Sequence, residues 1–137
     1  KNIFRNISLA IFTAATIVSC STMATSKSKV GKPQPNISNT QWTLADQVKG
    51  KKPTLVIESA RITGNGGCNN YFGEVMIDRT VGNFMATNVG ATKKMCEHMS
   101  EETTYFSMLG AATKYVVNGT TLELYKDNLL LLKFNKL

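Results

Sequence analysis

At 137 residues and 15.0 kDa the chain has room for one domain, and 42% hydrophobic against 18% charged residues exclude disorder along its whole length. The formal charge of +7 does not mark a nucleic-acid binder, because the basic residues are not concentrated on the folded part. Without Lys1 and Arg5, 14 basic residues face 9 acidic ones (+5), and residues 40–137 hold 11 and 9 (+2).

The chain starts with Lys1 and Arg5, then an uncharged apolar run from Ile7 to Val18. That run falls short of the roughly 20 residues a spanning helix needs, and small residues and a cysteine follow it, so it reads as a secretory signal. Ile17-Val18-Ser19-Cys20 resembles the bacterial lipobox. The resemblance implies a signal peptide over 1–19, cleavage before Cys20, and acylation of the Cys20 thiol and its new amine. Two or more acyl chains give stable attachment. Residues 20–39 are rich in Ser, Thr, Lys and Pro and lack aromatics, which predicts a flexible tether. Lys27, Lys29 and Lys32 would keep it solvated near an anionic membrane surface. Ser21, where an aspartate is absent, resembles the outer-membrane sorting class. The expected location is the cell envelope, on the outer membrane and facing the periplasm.

A domain over 40–137 follows, starting near Gln41-Trp42. Pro53–Ser59, Tyr71–Asp78 and Asn83–Val89 read as strands, the last two joined around Gly82. Ser100-Glu101-Glu102 looks like a helix start, a capping hydroxyl with carboxylates in the first turn. Tyr105, Phe106 and Leu109 would form its buried side, with Gly110 near its end. Lys114–Val117 and Thr121–Lys126 flank Asn118-Gly119, a strong hairpin signal. Asp127-Asn128 then turns into Leu129–Phe134, dense enough in leucine for a central strand. Strands, one helix and strands again predict α+β with a curved, mostly antiparallel sheet.

Three cysteines are present, and acylation of Cys20 leaves Cys68 and Cys96 as an even pair in an exported protein. A disulfide is the first reading. Two alternatives use the same residues. Cys96 with His98, the only histidine, could form a nucleophile and base, and Cys68, Cys96 and His98 could bind zinc. Neither a third orienting group nor a short-spaced chelating pair is visible, so no catalytic residue, metal or cofactor is expected. The glycine-rich stretch Arg61–Val75 lacks the following lysine and helix start of a phosphate loop. Its expected role is architectural: Gly64, Gly66 and Gly67 bend the chain while Asn65 and Asn69 satisfy backbone groups.

GCNNYFG (Gly67–Gly73), ATKKMC (Ala91–Cys96), a glutamate-bearing helix and the terminal LLLLKF together resemble the META domain, the HslJ-like lipoprotein family, from roughly Gln41 to Phe134. Gly67, Cys68, Asn69 and Gly73 match its first motif, and Thr92, Lys93 and Cys96 its second. Lys94 stands where methionine is usual. The resemblance implies a Cys68–Cys96 bond and a sheet close to an incomplete conical barrel with one helix packed against it. It also implies a non-enzymatic envelope lipoprotein associated with heat-shock or envelope stress. The alternatives are an adaptor that binds an envelope protein or small ligand on the concave sheet face, and a cysteine-dependent enzyme.

Overall fold

The computed structural model describes residues 27–137. The elements run β1 (Thr40–Leu44), β2 (Thr54–Ile57), β3 (Arg61–Asn65), β4 (Asn70–Asp78), β5 (Asn83–Ala91), α1 (Met99–Ala111), β6 (Lys114–Asn118), β7 (Thr121–Lys126) and β8 (Leu129–Lys136). Each strand pairs antiparallel with the next, and β1 returns to β8 through Trp42↔Lys136 and Leu44↔Phe134. The barrel is therefore closed, which corrects the expectation of an incomplete one. Its weakest seam is β5–β6, held by the single pair Asn83↔Lys114 and the bonds Phe84 N to Thr113 O and Tyr115 N to Gly82 O. Beyond that pair α1 runs back along the chain and packs on β5 and β8.

The strands follow from alternation. In β4, Tyr71, Gly73 and Val75 point inward while Phe72, Glu74 and Met76 face water; β7 buries Leu122 and Leu124. Leu132 and Phe134 of β8 are buried, but Leu129 is 64% exposed, so half of the leucine-rich strand lies outside the core it was expected to centre. Two strands escape the periodicity. β1 is short, and β3 lies inside the glycine-rich stretch, where Ile62 is its one apolar side chain and cannot by itself mark alternation. The expected Asn118-Gly119 turn falls one residue later: Asn118 pairs with Thr121, and Gly119 takes the positive φ of 59°.

Trp42, Leu55, Ile57, Ile62, Phe84, Tyr115, Leu122, Leu124 and Phe134 fill the barrel and are 2% exposed or less. Each large apolar side chain buried this way contributes about 1.5–3 kcal/mol. Among the described residues, closure fills the inner face of the sheet with core side chains. The proposed tether also ends earlier than residue 39. Gln34 and Ile37 are 7% and 1% exposed. Gln34 Oε1 accepts Val117 N at 3.0 Å, Gln34 N donates to Arg79 O at 2.8 Å, and Ile37 joins the core. One isoleucine among polar residues carries no periodicity, so its docking depends on the barrel it meets.

Candidate functional site

The β3–β4 connection is built to bend. Gly67 has φ +118°, a conformation that side chains rarely adopt. Asn65 Oδ1 accepts Gly67 N at 2.9 Å, and Gly66 N donates to Asn69 O at 2.8 Å. Gly64 is excluded from growing by contact: a Cβ there would lie 2.1 Å from the Thr54 carbonyl oxygen. Gly73 lies apart, at the irregularity of register between Phe72 and Glu74, where a Cβ would crowd Val89 and the Thr87 carbonyl.

Asn69 is the junction of three segments. It is 1% exposed. Its Oδ1 accepts the Thr92 hydroxyl (2.8 Å) and Lys94 N (2.7 Å), and its Nδ2 donates to Lys94 O (3.2 Å) and Glu102 Oε1 (2.7 Å). Glu102 Oε2 accepts Cys68 N at 2.8 Å and Asn69 N at 2.6 Å. One amide side chain thus clamps the glycine loop, the segment after β5 and the first turn of α1. Cys68 and Cys96 are bonded across the same junction, with Cα atoms 6.1 Å apart. Lys94 contributes its backbone N–H and carbonyl to the junction, not its side chain. Thr92 takes part through its hydroxyl, and Lys93 is exposed. Cys20 and the signal over 1–19 lie outside the described residues.

Burial alone would raise the Glu102 carboxyl, but the donors from Asn69 and Cys68 outweigh it and hold the group below the ordinary glutamate value. The helix start differs from the expected one. His98, at φ 62°, occupies the cap position without a side-chain cap bond, and Ser100 lies within the first turn. Glu102 turns inward and accepts the loop's N–H groups. Its first-turn position was visible in the sequence; the loop it would receive was not.

Behind the clamp lies a buried phenol pair, also missed. The Tyr71 hydroxyl donates to the Thr54 carbonyl at 2.7 Å and accepts the Tyr105 hydroxyl at 2.8 Å, which leaves the Tyr105 oxygen 3.3 Å from the same carbonyl. Cys68 and Cys96 are bonded to each other, so in this state neither presents the free thiol that the cysteine–histidine and zinc readings require. His98 is exposed, with Glu97 at 3.9 Å. Among the described residues no group of three or more His, Cys, Asp or Glu side chains is placed to hold a metal ion. Among them, too, no helix is long and apolar enough to cross a membrane.

Beside the clamp a cleft of about 300 Å³ opens between the β1–β2 loop and α1. Leu44, Val48, Pro53, Tyr105, Met108 and Leu132 supply apolar lining, and Asp46, Gln47, Ser100, Glu101 and Thr104 supply polar groups. Glu101 ties the two walls by accepting Lys49 N at 3.1 Å. No sequence motif marks this cleft, since its lining comes from distant segments.

The family model of the META domain matches residues 35–136. No curated protein matches the chain. An NMR structure of a protein from Burkholderia xenovorans is 21% identical with a TM-score of 0.62, over 74% of this chain and 83% of that one. A second NMR structure is 17% identical with a TM-score of 0.57, over 72% and 90% of the two chains. At these identities the likeness concerns the fold.

Proposed function

The chain belongs to the META domain family, and on that premise we propose a non-catalytic, lipid-anchored module of the bacterial envelope that binds a small amphiphilic ligand in the cleft beside α1. The observation that carries the reading is the cleft itself: apolar lining from Leu44, Val48, Met108 and Leu132 with hydroxyl and carboxylate groups from Thr104, Ser100 and Asp46. Its volume of about 300 Å³ stands at the lower bound of small-molecule sites. An alkyl body would rest on the apolar lining and a hydrogen-bond-donating head on the polar groups. The clamp and disulfide fix the start of α1, so the wall carrying Thr104 and Met108 is held in place before a ligand arrives, which lowers the ordering cost of binding.

The envelope part rests on the lipobox and Ser21, which support acylation at Cys20 and an outer-membrane position facing the periplasm. A role in heat-shock or envelope stress belongs to the same proposal, through the family resemblance. The test is thermal unfolding with a series of medium-chain alkylammonium ions. Midpoints should rise with concentration for the parent protein, and Thr104→Trp, which fills the cleft, should remove the response while leaving the unliganded midpoint within a few degrees. A flat response across the series sinks the ligand reading.

A further inference from the structure

We propose that the end of the barrel from which residues 1–26 depart rests on an anionic lipid surface, with the β4–β5 turn touching the bilayer. Several segments meet at this end. Gln34 N donates to Arg79 O in that turn, Lys29 Nζ donates to Asn118 Oδ1 at 2.6 Å, and Lys136 N donates to Thr120 O at 2.8 Å. Tyr115 OH donates to Pro35 O, so the departing segment is fastened to the barrel.

The same end gathers cations. Lys27, Lys29, Lys32, Arg79 and Lys136 are exposed, and Lys114 reaches over the turn to the Val81 carbonyl and Asn83 Oδ1. Three acids stand at this end: Glu58, in the β2–β3 turn; Asp78, whose carboxylate already accepts Thr80 N and the Thr80 hydroxyl at 2.9 and 2.6 Å; and Glu123, which lines a hollow with Lys27 and Lys29 but is engaged by Lys133 at 3.5 Å and by the Tyr125 hydroxyl at 2.8 Å. Between the cations the turn presents Val81, 38% exposed, with Met76 and Met85 exposed one step up the hairpin. Cations that meet anionic headgroups and apolar tips that enter the interface are the two attractions of a peripheral membrane surface. At the opposite end bases and acids are mixed: Lys49, Lys51, Lys93 and Lys94 accompany Asp46, Glu97 and Glu101.

The inference builds on the lipid-anchored reading, since seven residues from Cys20 to Lys27 reach at most roughly 25 Å and would keep this end, not the cleft end, against the bilayer. It stands or falls separately in the following test. The whole chain carries Cys20→Ser, so no acyl chain can hold it, and Val81→Cys labelled with an environment-sensitive fluorophore; Met95→Cys, 89% exposed at the far end, is the control. Vesicles of phosphatidylglycerol and phosphatidylcholine should shift the label at 81 to the blue and leave that at 95 unchanged. Pure phosphatidylcholine should do neither, and raised salt should reverse the shift. Lys29→Glu, Lys32→Glu and Arg79→Glu together should weaken partitioning by about a hundredfold or more, each cation near such a surface accounting for about fivefold. The apolar run from Ile7 to Val18 is common to all variants, so equal binding by the triple variant would overturn the proposal. A shift at 95 in place of 81 would overturn it too, as would tighter binding to single-stranded DNA than to the vesicles. Absence of acyl chains on Cys20 in envelope protein would refute the anchor and leave the vesicle result untouched.

Discussion

Glu102 and Asn69 show how much a single pair of side chains carries. The Glu102 carboxylate is 4% exposed and receives three N–H donors. Glu102→Gln keeps the shape but sets an amide nitrogen against these donors, and should cost roughly 2–3 kcal/mol in urea unfolding at neutral pH. The parent has a second signature. Because the folded carboxyl titrates below the ordinary 4.5, its contribution is present above that value and is lost as pH falls through the folded value. Parent and Glu102→Gln stabilities should therefore converge in acid; a constant gap down to acid unfolding would contradict the assignment. Asn69→Ala should cost about 3 kcal/mol or more, since it strands Lys94 N and the Thr92 hydroxyl along with Glu102. Gly64→Ala should be comparably damaging because its methyl meets a backbone carbonyl that cannot rotate away. Of this residue-scale picture, the sequence offered the asparagine and glycine motif and an architectural role for it. The carboxylate that completes it was legible only as a helix-start acid, because a buried acceptor is defined by donors 33 and 34 residues distant.

Between elements, the Cys68–Cys96 bond joins the β3–β4 loop to the segment before α1 and closes a separation of 28 residues. On the chain-entropy account it contributes roughly 3–4 kcal/mol. Cys68→Ser and Cys96→Ser should each lower stability by about 2–5 kcal/mol, and the double variant should be no worse than the poorer single one, as both remove one constraint. Denaturing, non-reducing thiol labelling should find neither cysteine free; additive losses would mean the two act independently. The Glu102 and Asn69 bonds span the same junction, so α1 should stay docked in the reduced protein. The pairing was legible by counting, once Cys20 is assigned elsewhere. The helix's buried side was legible too: Tyr105 and Leu109 are buried and Phe106 packs half-buried against Tyr71.

For the molecule as a whole, closure through one residue pair makes β5–β6 the weakest seam. Native-state hydrogen exchange should find the Phe84 and Tyr115 amides less protected than those of β7 and β8, whose pairing runs from Thr121↔Asn135 to Lys126↔Leu129. Equal protection would mean that the barrel opens only globally. The tyrosines report on the same closure. Burial raises Tyr71, Tyr105 and Tyr115 above the ordinary phenol value, and pushes Tyr125 up to about 12. These are all 4 tyrosines of the chain, so tyrosinate absorbance at pH 10 should be weaker in the folded protein than in the unfolded chain, and should rise with unfolding. The sign follows: the unfolded chain ionises at 10.0 while the folded one does not, so stability is full below that pH and declines as pH rises toward the folded values. A tyrosinate signal at pH 10 as large as that of the unfolded chain, with the fold intact, would contradict the buried phenol pair.

The sequence by itself determined the strands whose large side chains alternate, the helix with its buried face, the cysteine pair, and the architectural character of the glycine stretch. Each is a local signal, written in periodicity, turn chemistry or counting, and the family motifs add the pairing and the kind of fold. Only the tertiary structure decided that the sheet closes, because closure depends on β1 meeting β8, the first strand and the last. It also decided that Ile37 and Gln34 belong to the fold, that Glu102 is an acceptor for the glycine loop, and that a cleft opens beside α1. Burial, acceptance and concavity are properties of what surrounds a residue, and here the surroundings come from segments tens of residues away.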